Sequence, residues 1–259
     1  MAKNVLGRFV WYDLMTTDPD AAQAFYTKVI GWGTMQWDGP MPYTMWTHAP
    51  EAALGGLMAL PDEAKAAGAP PHWLAYVSTP DCAATVKKAV ELGGKVLKER
   101  TDVPETGTFA VLADPQGAVF AIYQSIGGMP EDAPAEVKQF SWHELATTDW
   151  EGAFDFYSKL FDWSKTDDMD MGEMGVYRMY GFGQWPLGGM FNWRAEMPEV
   201  PVPAWLCYIK VPDVNATAET VKAEGGQVLN GPMEVPGGGM IAQCKDPQGV
   251  AFALHSGPS

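Results

Sequence analysis

Ala22, Phe25, Tyr26, Val29 and Ile30 recur at three-and-four spacing behind Asp18 and Pro19. That pattern predicts a helix with an aspartate N-cap, a proline in the first turn and one apolar face. The same signature returns at Ala153, Phe156, Tyr157, Leu160 and Phe161 behind Asp149. A second pair of helices is predicted from Asp81 and Asp213, each ending at a glycine pair that can adopt the left-handed C-terminal conformation. Short runs such as YTMWTH, GGLMAL, KVLKE, TFAVLAD and AVFAIYQ follow. Their length and β-branched and aromatic content suit strands.

The pattern is written twice. Trp11, Asp18, Phe25-Tyr26 and Trp32 return 131 positions later at Trp142, Asp149, Phe156-Tyr157 and Trp163, and LGGLM at Leu54 answers LGGMF at Leu187. From there the offset settles at 132, pairing Trp73 with Trp205 and the DPQG of Asp114 with that of Asp246. Order preserved with small drift indicates a tandem duplication with altered loop lengths. The Gly, Pro and charge of SIGGMPEDAPAEVKQ mark a linker, so the expected organisation is a first domain at 1–126, a linker at 127–138 and a second domain at 139–259. Within each half TTDPDAAQAFYTKVIGW faintly resembles STPDCAATVKKAVELGG. The chain therefore reads as α+β, four strand-helix-strand-strand-strand modules, with each DPQG a type I turn feeding the last strand of a half.

Composition narrows the partners. At 259 residues and 47% apolar content there is ample material for packed cores, while a net charge of −15 opposes nucleic acid and anionic lipid. Cys82, Cys207 and Cys244 are odd in number without C-x-x-C spacing, which suits a reducing compartment. Neither a signal-peptide stretch nor a membrane-length apolar run is present, so a cytoplasmic protein is expected. Zincin, nucleophile-elbow, P-loop and dinucleotide motifs are all absent.

Paired modules with D-x-x-x-A-x-x-FY near the start of each half and DPxG before its last strand resemble the vicinal oxygen chelate superfamily of glyoxalases, bleomycin-resistance proteins and extradiol dioxygenases. More narrowly, W-x-x-L-x-T-x-D, W-L-x-Y and DPQG are similar to the tandem glyoxalase-like proteins related to a 27 kDa mycobacterial antigen. The resemblance implies that each pair of modules curls a mixed sheet into a cup. It also implies that metal-binding members carry ligands at positions that here hold Trp11 and Trp142, Trp73 and Trp205, and Ala121 and Ala253. None of these side chains offers a lone-pair donor to a divalent ion. The expectation is thus Trp-lined cups, no cofactor and no metal at the usual positions, holding a partly aromatic or apolar small molecule. A tandem chain can satisfy module pairing internally, so a monomer is expected, with a homodimer as the alternative.

Strand alternation sorts the remaining candidates. Trp11, Asp13 and Met15 should face one cup and Trp142 and Glu144 the other, with Tyr12 and His143 turned away. Tyr123 and His255 should point inward on the last strands. Glu144 with His255, near Trp142, Trp205 and Cys207, is the candidate acid/base pair for a metal-independent lyase or isomerase step. The alternative reading gives Asp13 and Glu144 a hydrogen-bonding role toward a loop or an indole, and Cys207 a role as buried filler. Arg178 could clamp a ligand carboxylate, pair with Glu144 or face solvent. Two rivals remain at this stage: a metal-dependent lyase or dioxygenase with ligands relocated to Glu144, His255 and Gln243, and a module whose cups are filled by its own side chains.

Overall fold

The computed structural model describes residues 5–39, 41–128, 133–182, 185–194 and 203–257. Module one contains β1 (Phe9–Thr16), α1 (Pro19–Val29), β2 (Gly33–Gln36), β3 (Thr44–Ala49) and β4 (Ala52–Ala59), and is followed by a short α2 (Asp62–Ala66). Module two contains β5 (His72–Ser78), α3 (Cys82–Glu91), β6 (Lys95–Val103), β7 (Gly107–Ala113) and β8 (Val119–Ser125). Module three contains β9 (Phe140–Thr147), α4 (Trp150–Phe161), β10 (Ser164–Asp170), β11 (Val176–Phe182) and β12 (Trp185–Asn192). Module four contains β13 (Ala204–Lys210), α5 (Val214–Ala223), β14 (Gln227–Val235), β15 (Gly239–Lys245) and β16 (Ala251–Ser256). The α+β architecture of four βαβββ modules is as expected. Two eight-stranded mixed sheets result, ordered β2-β3-β4-β1-β5-β8-β7-β6 and β10-β11-β12-β9-β13-β16-β15-β14.

The helices begin where the aspartates stand. Asp18 accepts from the Ala21 amide at 3.0 Å, Asp81 from Ala84, Asp149 from Gly152 and Asp213 from Asn215 and Ala216. Each such cap stabilises its helix by about 1 kcal/mol. In the DPQG turns Asp114 Oδ1 accepts from the amides of Gln116, Gly117 and Ala118, and Asp246 Oδ1 from Gln248 and Val250. The fourth residues, Gly117 and Gly249, sit at φ +105° and +86°, a region that glycine enters without a Cβ clash.

By packing, the chain divides into two compact units that do not follow sequence order. One comprises Met1–Val10, Ala75–Ala133 and Trp142–Trp205; the other comprises Trp11–Leu74, Pro134–Ser141 and Leu206–Ser259. Each sheet follows one half of the chain, whereas each compact unit takes a module from both halves. Part of the expected linker, residues 129–132, lies outside the described residues.

In the first unit Leu112, Phe120, Leu145, Phe156, Tyr157 and Met190 are core residues between helices and strands. Tyr157 on α4 donates to Asp114 Oδ2 at 3.1 Å, tying a helix of the second half to a turn of the first. The second unit mirrors this with Tyr26 on α1 donating to Asp246 Oδ2 at 3.2 Å. Trp163, just after α4, donates its indole N–H to the Gly7 carbonyl at 2.7 Å, and Trp32, just after α1, to the Lys138 carbonyl at 2.7 Å. Gly7 and Lys138 are themselves 131 apart and both have positive φ, so the repeat extends into the lead-in of each half.

Candidate functional site

On β1 and β9, Leu14 and Leu145 are fully buried, and the residues between them in the pleat, Asp13 and Glu144, project to the opposite face. Each carboxylate is nearly buried, at 5% and 8% exposure. In the second unit Trp11 Nε1 donates to Asp13 Oδ1 at 3.0 Å and to the Tyr43 hydroxyl oxygen at 2.8 Å, while the Tyr43 hydroxyl donates to Asp13 Oδ1 at 2.6 Å. In the first unit Trp142 Nε1 donates to the Tyr177 oxygen at 2.8 Å, and the Tyr177 hydroxyl donates to Glu144 Oε2 at 3.0 Å. Each half thus carries a tryptophan, tyrosine and carboxylate triad in which the indole donates to the phenol oxygen and the phenol donates to the carboxylate; in the first half the indole donates to the carboxylate as well. The indoles of Trp11 and Trp142 remain half-buried.

Sequence reasoning missed Tyr43 and Tyr177. Each stands one residue before a strand position paired with the residue after a Gly-Gly: Thr44 opposite Leu57, and Arg178 opposite Met190. The glycine pair is the readable signal. A Cβ on Gly56 would collide with the Tyr43 hydroxyl oxygen, and one on Gly189 with the Tyr177 ring. The preceding glycines let adjacent backbone approach, since Cβ atoms on Gly55 and Gly188 would meet the carbonyl oxygens of Tyr12 and His143. The repeated LGG therefore seats the phenol of each triad.

Several candidates are placed elsewhere than the sequence led us to expect. Trp73 and Trp205 do not face away from the helices with the triads. Trp73 donates to the Tyr26 hydroxyl and Trp205 to the Tyr157 hydroxyl, both at 3.2 Å. The physical reason is the fully buried phenol of each helix, which donates to a turn aspartate and gains a donor for its own oxygen from the indole. Cys207 is buried, in keeping with the alternative of a small apolar filler, and desolvation pushes its thiol up to about 12. Arg178 neither pairs with Glu144 nor faces solvent. Its guanidinium holds Asp168 through Nε and, at 3.2 Å, through Nη2, and lies 4.7 Å and 4.8 Å from the ring centroids of Trp150 and Phe154 on α4. That pairing holds the Asp168 carboxyl below its usual range.

His143 is turned away from Glu144, as expected. It stacks on Phe9 with 3.7 Å between centroids, and its Nδ1 lies 2.8 Å from the Leu187 carbonyl oxygen. Burial lowers its pKa to about 4. His255 has Nδ1 3.1 Å from Ser141 Oγ, and Gln243 donates to the Tyr208 hydroxyl at 3.2 Å. These two belong to the second unit, Glu144 to the first. Tyr123 is half-buried on β8, paired in register with Phe109.

The six positions at which the resemblance calls for metal ligands do not fit an ion. Four are indoles whose N–H groups donate to tyrosine, and Ala121 and Ala253 are buried methyl groups. Among the described residues, no group of three or more His, Cys, Asp and Glu side chains is arranged to hold an ion elsewhere. Among them, too, no helix is long and apolar enough to cross a membrane.

Comparison with known proteins agrees with this architecture. The profile of the Glyoxalase/Bleomycin resistance protein/Dioxygenase superfamily matches residues 8–122 and again 139–254. The CFP32 protein of Mycobacterium tuberculosis (strain CDC 1551 / Oshkosh) is 33% identical over 249 residues, covering 94% of this chain and 92% of its own length. The anthracycline biosynthesis protein DnrV of Streptomyces peucetius is 29% identical over 272 residues, covering 98% of this chain and 94% of its own. Among solved structures, the Mn(II)-bound glyoxalase from Novosphingobium aromaticivorans superposes with a TM-score of 0.64 at 16% identity, over 99% of this chain and 83% of its own. The 2,3-dioxygenase LapB from Pseudomonas sp. KL28 gives 0.66 at 12% identity, over 100% and 94%. At such identities the solved structures speak for the fold alone.

Proposed function

Because the chain belongs to the Glyoxalase/Bleomycin resistance protein/Dioxygenase superfamily, we propose that it is a small-molecule-binding protein of that type whose polar anchors are its two triads and not a metal at the usual positions. The observation that carries this reading is the repetition of the triad. Both halves retain a nearly buried carboxylate, a phenol seated on a glycine and a half-buried indole, while the loops around them differ in length. The ligand suited to such a surface is partly aromatic or apolar, packing on indole and phenol rings with a polar group directed at the carboxylate.

If the ligand is also turned over, the step is a proton transfer typical of a lyase or isomerase. Asp13 or Glu144 takes a proton from a carbon or hydroxyl of the ligand, and Tyr43 or Tyr177 holds that carboxylate in place through its hydroxyl. No metal enters such a step. The rival is a metal-dependent lyase or dioxygenase with relocated ligands.

Elemental mass spectrometry on untagged protein purified without chelator, followed by aromatic-ligand titration read by tryptophan quenching, tests the proposal. Metal far below one ion per chain, with saturable quenching that persists in EDTA and weakens in Tyr43→Phe and Tyr177→Phe, is the expected result. One tightly held ion per chain, lost in Glu144→Gln or His255→Ala, would replace this reading with the rival.

A further inference from the structure

Each triad presents one acidic group together with a phenol and a part-exposed indole. We infer that they take a planar aromatic ring carrying an aliphatic amine, protonated at neutral pH, in preference to an aromatic acid; this rests on the binding reading above and specifies its ligand class. The carboxylate of Asp13 or Glu144 is the one formally charged group in each triad, and the other two members bring a phenol and an indole N–H. A ligand ammonium therefore gains a charged acceptor, whereas a ligand carboxylate meets like charge. At 5% and 8% exposure, Asp13 and Glu144 sit where such interactions are screened far less than in bulk water.

The aromatic members act in the same direction. The indoles of Trp11 and Trp142 keep part of their surface exposed, and an indole face attracts a cation as well as a flat ring. Arg178, which follows Tyr177 in the chain, is the obvious basic group to receive a ligand carboxylate. It is committed to Asp168 and to the rings of Trp150 and Phe154. The net charge of −15 adds a long-range field that concentrates cations and excludes anions.

A matched series isolates charge from ring size: naphthalen-2-ylmethylamine, naphthalen-2-ylmethanol and 2-naphthoate, titrated calorimetrically at low and high salt. The proteins are the full chain, Asp13→Asn/Glu144→Gln and Trp11→Phe/Trp142→Phe. The amides keep the size of the carboxyl groups and an oxygen to accept the tyrosine hydroxyls, and thermal unfolding of each variant checks that it is folded; Asp13→Asn and Glu144→Gln singly serve should the pair fail. We expect the amine to bind at least about tenfold more tightly than the alcohol, a factor that is lost on removing one strong charge interaction. 2-Naphthoate should give no measurable heat, and the preference for the amine should collapse in the amide variants and shrink with salt. If the alcohol or the acid binds as tightly as the amine and loses affinity in the tryptophan variants, the charge preference is wrong while the site reading stands. Amine binding unchanged in both sets of variants would reassign it to general surface attraction and overturn the inference. No heat from any of the three would overturn both this inference and the binding reading.

Discussion

Lowering the pH should destabilise this protein through His143, by an amount that the structure fixes in sign and scale. The imidazole is buried against Phe9 and turned to the Leu187 carbonyl, and its pKa falls to about 4 from an unfolded value of 6.5. A lowered pKa means that the unfolded chain binds a proton which the native protein refuses. Stability is therefore intact above pH 6.5 and is lost as the pH falls toward 4. Fully developed, the effect is about 3 kcal/mol at 1.36 kcal/mol per pKa unit, and between pH 7 and pH 5 about 2 kcal/mol. The buried turn carboxylates Asp114 and Asp246 act oppositely. Desolvation raises their pKa values, so their contribution is present at low pH and declines as the pH rises through the folded value. The test is urea denaturation at pH 7 and pH 5 for the natural chain and for His143→Gln, which keeps an N–H for the Leu187 carbonyl. The carboxylates cancel in the comparison, and the natural chain should lose about 2 kcal/mol more than the variant between the two pH values. Equal losses in the two proteins would refute the placement of His143 as a buried neutral ring.

Three further outcomes follow from packing. Gly56→Ala and Gly189→Ala should each destabilise by about 1–3 kcal/mol, because the added methyl meets a phenol; Gly56→Ala in a Tyr43→Ala background should cost much less, and additive losses in urea denaturation would argue against the seat. Tyr26→Phe and Tyr157→Phe should each cost about 1–3 kcal/mol, since each removes one partner from a buried carboxylate and from an indole that is buried at Trp73 and half-buried at Trp205, and a neutral effect on the unfolding midpoint would contradict those bonds. The thiols of Cys207 and Cys244, pushed up to about 12 by burial, should resist iodoacetamide in the folded protein and react only in denaturant, as read by intact mass; rapid labelling at neutral pH would contradict their burial.

Local signals made most of the framework legible. Asp18 and Asp149 announce their helices because an N-cap is a local interaction, and the DPQG turns are legible because aspartate, proline and glycine each meet a fixed backbone requirement. β2 and β10 carry no strand pattern of their own. GTMQ is exposed throughout, and SKTDDMD is an acidic edge without alternation, so both are strands by pairing with a neighbour and not by pattern. Parity separates Asp13 and Glu144 from Leu14 and Leu145, since one buried leucine fixes the face of a whole strand. It did not place Trp73 and Trp205, whose orientation answers to a phenol on a helix distant in sequence. Tyr43 and Tyr177 escaped for a similar reason: their approach to Asp13 and Glu144 depends on hairpin register and on glycines about a dozen residues ahead. The mixing of modules from both halves within each compact unit leaves no local trace, because the residues that permit it are the same apolar faces that any pairing would use.

The reciprocal bonds of Tyr26 to Asp246 and Tyr157 to Asp114 bear on how such a chain can change over generations. A duplicated segment is ordinarily released from constraint, one copy drifting while the other preserves the original. Here neither copy is spare, because the turn of each repeat is completed by a tyrosine inherited in the other. A substitution at position 26 is felt at position 246, and the two repeats must diverge as partners. The surfaces left to vary independently are those outside this exchange, and the Asp13 and Glu144 triads, already unlike in side-chain length and bonding, are where two initially identical sites have begun to differ.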